Sequence, residues 1–531
     1  MRRLRENPWI VFVLVCLGFF MTILDATIVN IAVPEIIEDL DASISQVLWV
    51  MSSYVLMVSV LVITAGRVAD VFGPRNIFLL GMITFTAAST LCGLAQSPEQ
   101  LIAARVFQGA GAALITPQTL TIMSSLFPPE NRGLPSALWG VTAGLAGVAG
   151  PALGGFLIES GSWRWIFLVN VPIGIAIIAL TLPLVPDLRF GERHRLDLVG
   201  VVLVSAALGA ITYGLVEGER HGWGHINSVV SVPMLIGLGV ALLAVFLCTQ
   251  ARTRQPLLPL EIFRDRNFSL MSSVIVAASF GLMGLALTMT MYLQQVVGLN
   301  ALEAGLTLLP LPITMMLTFP LVGVLINKVG EKAVLVCGLA LLTIGLVLIG
   351  ELVGAGVDTR LLLAPLAFAG LAQAACTAPT ISLALQNIHQ ELSGAASGAF
   401  NAIRQLGMLV AIASVGAVLQ SRLTAGVRAE VRDQVEAFPP AAREEVIDTS
   451  VEMARSAESE VARSSPPEGV DGATFDHLQQ VVETAFQDAF ADAVRVSLLA
   501  CGGLTLAACL LSTAARRSEV VSTAESEAPQ S

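Results

Sequence analysis

Charge is scarce in this chain: Asp, Glu, Lys and Arg together make up 13% of its 531 residues, and only two basic residues, Lys328 and Lys332, are lysines. A soluble domain carries about a quarter of its residues as charges, so a chain this poor in them is not built to be surrounded by water. Histidine is nearly absent. His194, His221, His225, His389 and His477 fall near loops without metal-ligand spacing, and no metal site is expected. The cysteines Cys16, Cys92, Cys248, Cys337, Cys376, Cys501 and Cys509 all lie in apolar stretches, which suggests neither a disulfide framework nor a metal cluster. A phosphate loop of the Gly-x4-Gly-Lys-Ser/Thr kind is missing as well, which argues against direct ATP drive, and no cofactor is expected. The net charge of −11 is mostly local and says nothing about nucleic acid, but there is no basic groove, so no nucleic-acid partner is expected.

What the chain does have is apolar length. Hydrophobic residues make up 55% of it. Runs of about twenty, each long enough to cross a hydrocarbon core near 30 Å, fall at 9–33, 47–66, 76–96, 101–123, 135–158, 165–185, 197–216, 229–250, 269–292, 303–326, 333–353, 361–382, 394–420 and 489–513. Helices fit these lengths, whereas barrel strands need only about ten alternating residues. The first run is too long for a secretory signal, lacks a clear small-x-small cleavage site, and should be retained. The reading is an all-α polytopic membrane protein with fourteen transmembrane helices, embedded in a lipid bilayer.

Basic residues in short loops set the orientation. With the amino terminus inside, the inner segments hold Arg2, Arg3, Arg5, Arg67, Arg75, Arg132, Arg189, Arg193, Arg195, Arg252, Arg254, Arg264, Arg266, Lys328, Lys332, Arg516 and Arg517. The outer short loops hold only Arg164, Arg220 and Arg360. Both termini are therefore expected in the cytoplasm, and the excess of Arg over Lys hints at a GC-rich bacterial genome. Most of the negative charge is local: 421–488 carries fourteen acidic residues against six Arg and falls outside, broken by Pro439-Pro440 and Pro466-Pro467. It reads as an acidic extracellular loop (421–485). The tail 514–531 reads as disordered and cytoplasmic.

Two features point to function. Asp25 lies inside the first apolar run. A carboxylate at membrane depth is costly and usually faces a partner or a path for ions. It is the first candidate for proton binding. A short repeat follows two of the runs: Gly66-Arg-Val-Ala-Asp70-Val-Phe-Gly73-Pro-Arg75, and Gly323-Val-Leu-Ile-Asn327-Lys328-Val-Gly330-Glu-Lys332. Repeated halves around a central site are the plan of secondary transporters. Twelve runs make two sets of six and 197–250 lies between them. The expected domains are 1–186, an inserted helix pair in 187–252, and 253–420 with 486–513.

Gly66 to Arg75 resembles the cytoplasmic loop signature of the major facilitator superfamily. The resemblance implies that Asp70 caps a helix and pairs with an Arg across the interface between halves, so that Asp70 and Arg75, with Gly66, Gly73 and the second copy's Asn327, Lys328 and Lys332, form an inner gate. Val71 and Pro74 depart from the usual basic residues. The run Arg105-Val-Phe107-Gln108-Gly109 is similar to the family's buried-Arg motif, which implies a part for Arg105 in proton transfer beside Asp25. Gly147, Gly150, Pro151, Gly154 and Gly155 resemble the motif of antiporters, rather than symporters. The stretches Ser162–Gly174 and Ala396–Gly407, with the Asp25 segment, resemble the fourteen-span drug:proton antiporter branch. Within them, Trp163 and Trp165 read as interfacial anchors, and Asn401 and Arg404 either hold the halves together or touch the path. Candidate cavity walls are Met21, Asn30, Met51, Met57, Phe107, Gln108, Met291 and Tyr292, with Asn401 and Arg404.

The resemblance implies a major facilitator fold: two six-helix bundles plus two inserted central helices. It implies a monomeric multidrug efflux transporter of a bacterial plasma membrane, not an enzyme, driven by the proton gradient and exchanging protons for hydrophobic or cationic small molecules. A dedicated exporter of one endogenous metabolite or lipid is the alternative. A non-transporting sensor or assembly platform is the rival of another class.

Overall fold

A computed structural model describes residues 7–128, 131–159, 161–186, 197–220, 223–226, 230–253, 256–299, 301–354, 356–389, 392–434 and 472–515, with some side chains, Asn30, Pro151 and Asn327 among them, outside the description. The described chain is helical. Its helices are α1 (Pro8–Leu40), α2 (Ile44–Phe72), α3 (Pro74–Gly93), α4 (Pro98–Leu126), α5 (Gly133–Glu159), α6 (Trp165–Leu168), α7 (Asn170–Leu184), α8 (Leu198–Arg220) and α9 (Val232–Gln250). After these come α10 (Arg266–Gln295), α11 (Ala301–Leu308), α12 (Pro310–Val329), α13 (Glu331–Leu352), α14 (Arg360–Leu385), α15 (Ser393–Gln434) and α16 (Gly472–Ser512). Among the described residues the only isolated β pairing joins His225 and Ser231.

Local chemistry sets the helix starts. Asn7 accepts a bond from Trp9 N ahead of Pro8 at the first helical position. Ser43 and Gln46 form a complete capping box at the start of α2. At the end of α2, Gly73 takes φ +89° and Pro74 opens α3 at once. Gly330 takes φ +87° between α12 and α13. The sequence repeat is thus a repeat of structure: each copy turns one span directly into the next through a backbone region that favours glycine.

Twelve described helices are long and apolar enough to cross a membrane. The 29-residue α4 is not among them. It gives much of its buried face to Gln108, Gln118, Thr116, Thr119, Thr121 and Ser124, which lowers its hydropathy, yet it packs against α1, α2 and α3 inside the bundle. The 27-residue α5, also outside these twelve, packs against α1 on one side and α12 on the other.

Helix contacts fall into two groups, α1 to α7 and α10 to α16. They meet along α2 against α15 and along α5 against α12. These crossings are equivalent positions in the two sets of six, and each repeat's first glycine lies in one. A Cβ on Gly66 would strike the backbone of Gly394 and Gly398, and one on Gly323 would meet Leu134. The inserted pair packs as α8 on α9, and α8 touches both α2 and α15, so it covers one seam between the groups.

One boundary differs from the sequence reading. The stretch after residue 420, read from sequence as an outer loop, is not loop at once. Helix α15 continues to Gln434 and α16 begins at Gly472. Leu423, Val427, Val431, Phe486 and Phe490 are buried where the two helices pack, and Gly426 lies against Ala489. Sparse apolar residues at helical spacing inside an acidic stretch were masked by its average charge. Residues 435–471, which include both Pro-Pro pairs, and the tail from 516 lie outside the described residues. All seven cysteines are free.

Candidate functional site

Asp25 is fully buried at the centre of the first helix group. It forms an ion pair with the equally buried Arg105 Nη1 of α4. Its Oδ1 accepts bonds from Gln108 Nε2 at 2.7 Å and Asn170 Nδ2 at 3.1 Å. Gln108, one helical turn after Arg105, also accepts from Arg105 Nη1 at 2.9 Å, and Ser89 of α3 bridges Gln108 and Asn170. Arg105 Nε donates to Val50 O of α2 at 3.1 Å, and its guanidinium lies 4.3 Å from the ring centroid of Tyr54. Five helices of one half therefore converge on one carboxylate. Burying two charges is offset only when the remaining donors and acceptors find partners, and here nearly all of them do.

Asp25 does not itself open onto a cavity, but its neighbours do. A cavity of about 680 Å³ is lined by Thr22, Ile23, Ala26 and Thr27 of α1, with Met51, Tyr54 and Val55 of α2. On the far side are Asn401, Arg404 and Met408 of α15, together with Leu215 and Val216 of the inserted α8. It thus lies between the two groups. Tyr54 links the two places. Its ring underlies Arg105 and lines the cavity, and its hydroxyl donates to Thr22 O at 2.8 Å. A change of charge at Asp25 would act on the cavity wall through α1 and Tyr54.

Asp70 caps a helix, as the resemblance implied, but its ion pair does not cross between the halves. Asp70 Oδ1 accepts from Gly394 N at 2.9 Å and Oδ2 from Ala395 N at 3.0 Å. It thus caps the amino-terminal end of α15 across the seam, where a carboxylate is favoured. Its ion pair is with Arg67, on its own helix at 3.5 Å. Arg75 instead donates to Leu182 O within the first half and does not touch Asp70. Pro74 fixes the start of α3 and carries Arg75 away around the new helix. A second tie across the halves comes from Arg132, which binds Phe127 O and Ser124 O at the end of α4 and reaches Leu385 O of α14 at 3.1 Å. Sequence reading saw Arg132 only as an inner charge. Lys328 is exposed, and the Asn327 side chain lies outside the description.

Of the glycine motif, Gly150 and Gly154 are the tight positions. A Cβ on Gly150 would strike Thr27, and one on Gly154 would come within 2.9 Å of Ile28, so both let α5 close on α1 beside Asp25. Gly147 and Gly155 have open space around them. The backbone at Pro151 is helical and its side chain lies outside the description.

Of the ten cavity candidates, Met51, Asn401 and Arg404 line the cavity. Gln108 belongs to the Asp25 cluster. Met21 is packed in the core, and Met57 and Met291 are half-buried. Tyr292 is buried with its hydroxyl on Gly354 O, and Phe107 is exposed on the outer face. Asn30 lies outside the described side chains. Trp163 is not an interfacial anchor: it is buried, its backbone N–H bonds Glu35, and its indole N–H donates to Asp39 at 3.0 Å. Trp165 is the exposed one. Arg164 completes that cluster, and its hydrogen bond, followed by that of Trp163, holds the Asp39 carboxyl below its ordinary range. Such a tie persists at neutral pH and weakens only as acid protonates Asp39. Ser89, Tyr54, Asn170 and the α8 residues were not singled out as site residues from sequence. They gather by tertiary contact and share no local pattern.

Known proteins resemble this chain in sequence and in fold. The sequence pattern of the Major Facilitator Superfamily matches residues 15–412. An uncharacterized MFS-type transporter of Mycobacterium tuberculosis (strain ATCC 25618 / H37Rv) is 39% identical over 79% of this chain and 72% of its own length. The multidrug resistance protein Stp of M. tuberculosis (strain CDC 1551 / Oshkosh) is 33% identical over 77% of this chain and 75% of its own. Among solved structures, the human organic anion transporter MFSD10 superposes with a TM-score of 0.59 at 15% identity, covering 96% of this chain and 99% of that one, a likeness of fold.

Proposed function

The chain belongs to the major facilitator superfamily, and from that premise we propose that it is a proton-coupled antiporter exporting hydrophobic small molecules by alternating access. The observation that carries the proposal is the buried Asp25–Arg105 pair, walled off from the cavity by one turn of α1 and by Tyr54. Its relatives include a protein named for multidrug resistance, which supports efflux over uptake.

Two states of the carboxylate drive the cycle. Ionised, Asp25 neutralises Arg105 and draws α1, α3, α4 and α7 together. Protonated, it releases a guanidinium that must shift its bonds towards Val50 O and the Tyr54 ring, which moves the cavity wall. Protonation from outside follows substrate release, and proton release inside follows the next substrate. One charge crossing the membrane is worth about 2.3 kcal/mol per 100 mV, so at 100 mV one proton sustains an outward gradient of roughly fifty-fold and two roughly two thousand-fold. The fourteen-span plan, with both termini cytoplasmic, places the Asp70 and Arg132 ties on the inner face, where they hold the inner gate shut. Asp25, Arg105, Gln108 and Asn170 are the coupling residues. The chain works as a monomer in a bacterial plasma membrane without a cofactor.

The test is a substrate-dependent pH change in everted vesicles. Asp25→Asn keeps the shape but cannot lose a proton. It is expected to abolish the pH change while the protein still inserts. Normal uphill export by that variant removes Asp25 from the coupling mechanism, and no pH change in the wild type favours the sensor or platform reading.

A further inference from the structure

The cavity wall carries one ionisable side chain other than Tyr54, and it is positive. Arg404 lines the cavity from α15. Among the described residues it has no carboxylate within ion-pair distance. Its contacts are Asn401 Oδ1 at 3.3 Å, the Met408 sulfur at 3.6 Å, and the Trp139 ring at 5.8 Å. Its buried Nε has no hydrogen-bond partner. The contrast with Arg105 is plain: that guanidinium, on α4, has a carboxylate, an amide, a carbonyl and a ring. Asp25 and Glu217 are the acids nearest in sequence to lining residues, and neither lines the cavity. A guanidinium left short of partners at membrane depth is costly and marks a place where charge is expected to arrive.

We propose that Arg404 binds an acidic group on the substrate, and that the cavity takes amphipathic aromatic anions. The proposal rests on the export reading above and sets aside the cationic substrates that the family resemblance implied. A planar guanidinium presents a fork that fits a carboxylate or an ionised phenol, and charge-assisted bonds of this kind are the strong ones. The surrounding wall suits an aromatic body. Phe19 stacks on Trp139 with ring centroids 4.4 Å apart, and Phe19, Tyr54, Met51 and Met408 line the same space. A cationic substrate would meet Arg404 as an uncompensated like charge, which such a site rejects. The coupling gains as well. One anion moving out and one proton moving in both carry positive charge inward, so the membrane potential drives both legs. A monovalent cation exchanged for one proton would move no net charge.

The experiment uses two dyes on one xanthene scaffold, anionic fluorescein and cationic rhodamine 123, at a pH where fluorescein is ionised. Binding is read by anisotropy with the purified full chain, and transport in everted vesicles. The wild type is expected to bind and accumulate fluorescein in preference to rhodamine 123, and valinomycin with potassium is expected to slow fluorescein transport even with the pH gradient held. Arg404→Gln is expected to lose about tenfold or more in fluorescein binding, the scale of one hydrogen bond to a charged group. Arg404→Lys, which keeps the charge and loses the fork, should fall between. Preference for rhodamine 123 in the wild type overturns the proposal while leaving the export reading intact. So does equal loss of both dyes in Arg404→Gln with Arg404→Lys no better. Fluorescein binding without any proton-linked transport upholds the anion site and sinks the export reading instead.

Discussion

At the residue scale, the Asp25–Arg105 pair is a matched set whose members cannot be removed singly without cost. Taking away one partner leaves a buried charge uncompensated, a loss of about 3–5 kcal/mol. Arg105→Ala is therefore expected to lower the unfolding temperature in detergent sharply and to stop transport, whereas the double variant Asp25→Asn with Arg105→Gln should unfold closer to wild type while remaining inactive. Equal stability of Arg105→Ala and wild type would mean that water already reaches Asp25. Asp70 is a different kind of acid. It satisfies the first free N–H groups of α15 from another helix, and loss of such a cap is worth about 0.5–2 kcal/mol. Asp70→Asn is expected to leave folding intact but to loosen the seam. A cysteine placed beside Gly394 should then react faster with a water-soluble maleimide, and an unchanged rate would reduce the cap to a local detail of α15.

At the element scale, close helix approach divides the glycine motif into tight and open positions. Gly150 and Gly154 sit where α5 meets Thr27 and Ile28 of α1, while Gly147 faces open space. Gly150→Val should force α5 away from α1 and abolish transport, and Gly147→Ala should transport at close to the wild-type rate. The reverse order in a vesicle assay would show that the motif acts through backbone flexibility, not packing. The inserted helix α8 also takes a part that hydropathy alone could not assign. It covers the α2–α15 seam and contributes Leu215 and Val216 to the cavity.

At the scale of the whole molecule, the α15–α16 stalk changes what can be cut away. Deleting 425–480 would remove Val427 and Val431 from the packing they share with Phe486 and Phe490 of α16, so this deletion is expected to misfold or lose transport. Deleting within 436–470, with a flexible linker, should leave dye transport largely intact. An epitope placed in 440–465 should be labelled on intact cells, and one after Arg517 only after permeabilisation. Opposite labelling would put the Asp70 and Arg132 ties on the outer face and invert the gate assignment.

Much of this was legible in the chain itself. Runs of apolar residues had to become helices crossing a bilayer, because hydrocarbon offers the backbone no other hydrogen-bond partners. The Gly66 and Gly323 repeat foretold two equivalent halves, because a glycine turn between consecutive spans is a local event. Asp25 and Arg105 stood out because charge at that depth is rare. Which charge met which was decided only by the fold: Asp70 went to the end of α15 and not to Arg75, Trp163 went inward to Asp39, and Arg404 was left facing the cavity without an acid among the described residues. Sequence spacing constrains neighbours along one helix, but partners on different helices depend on how those helices rotate and cross. That is settled by packing over the whole bundle.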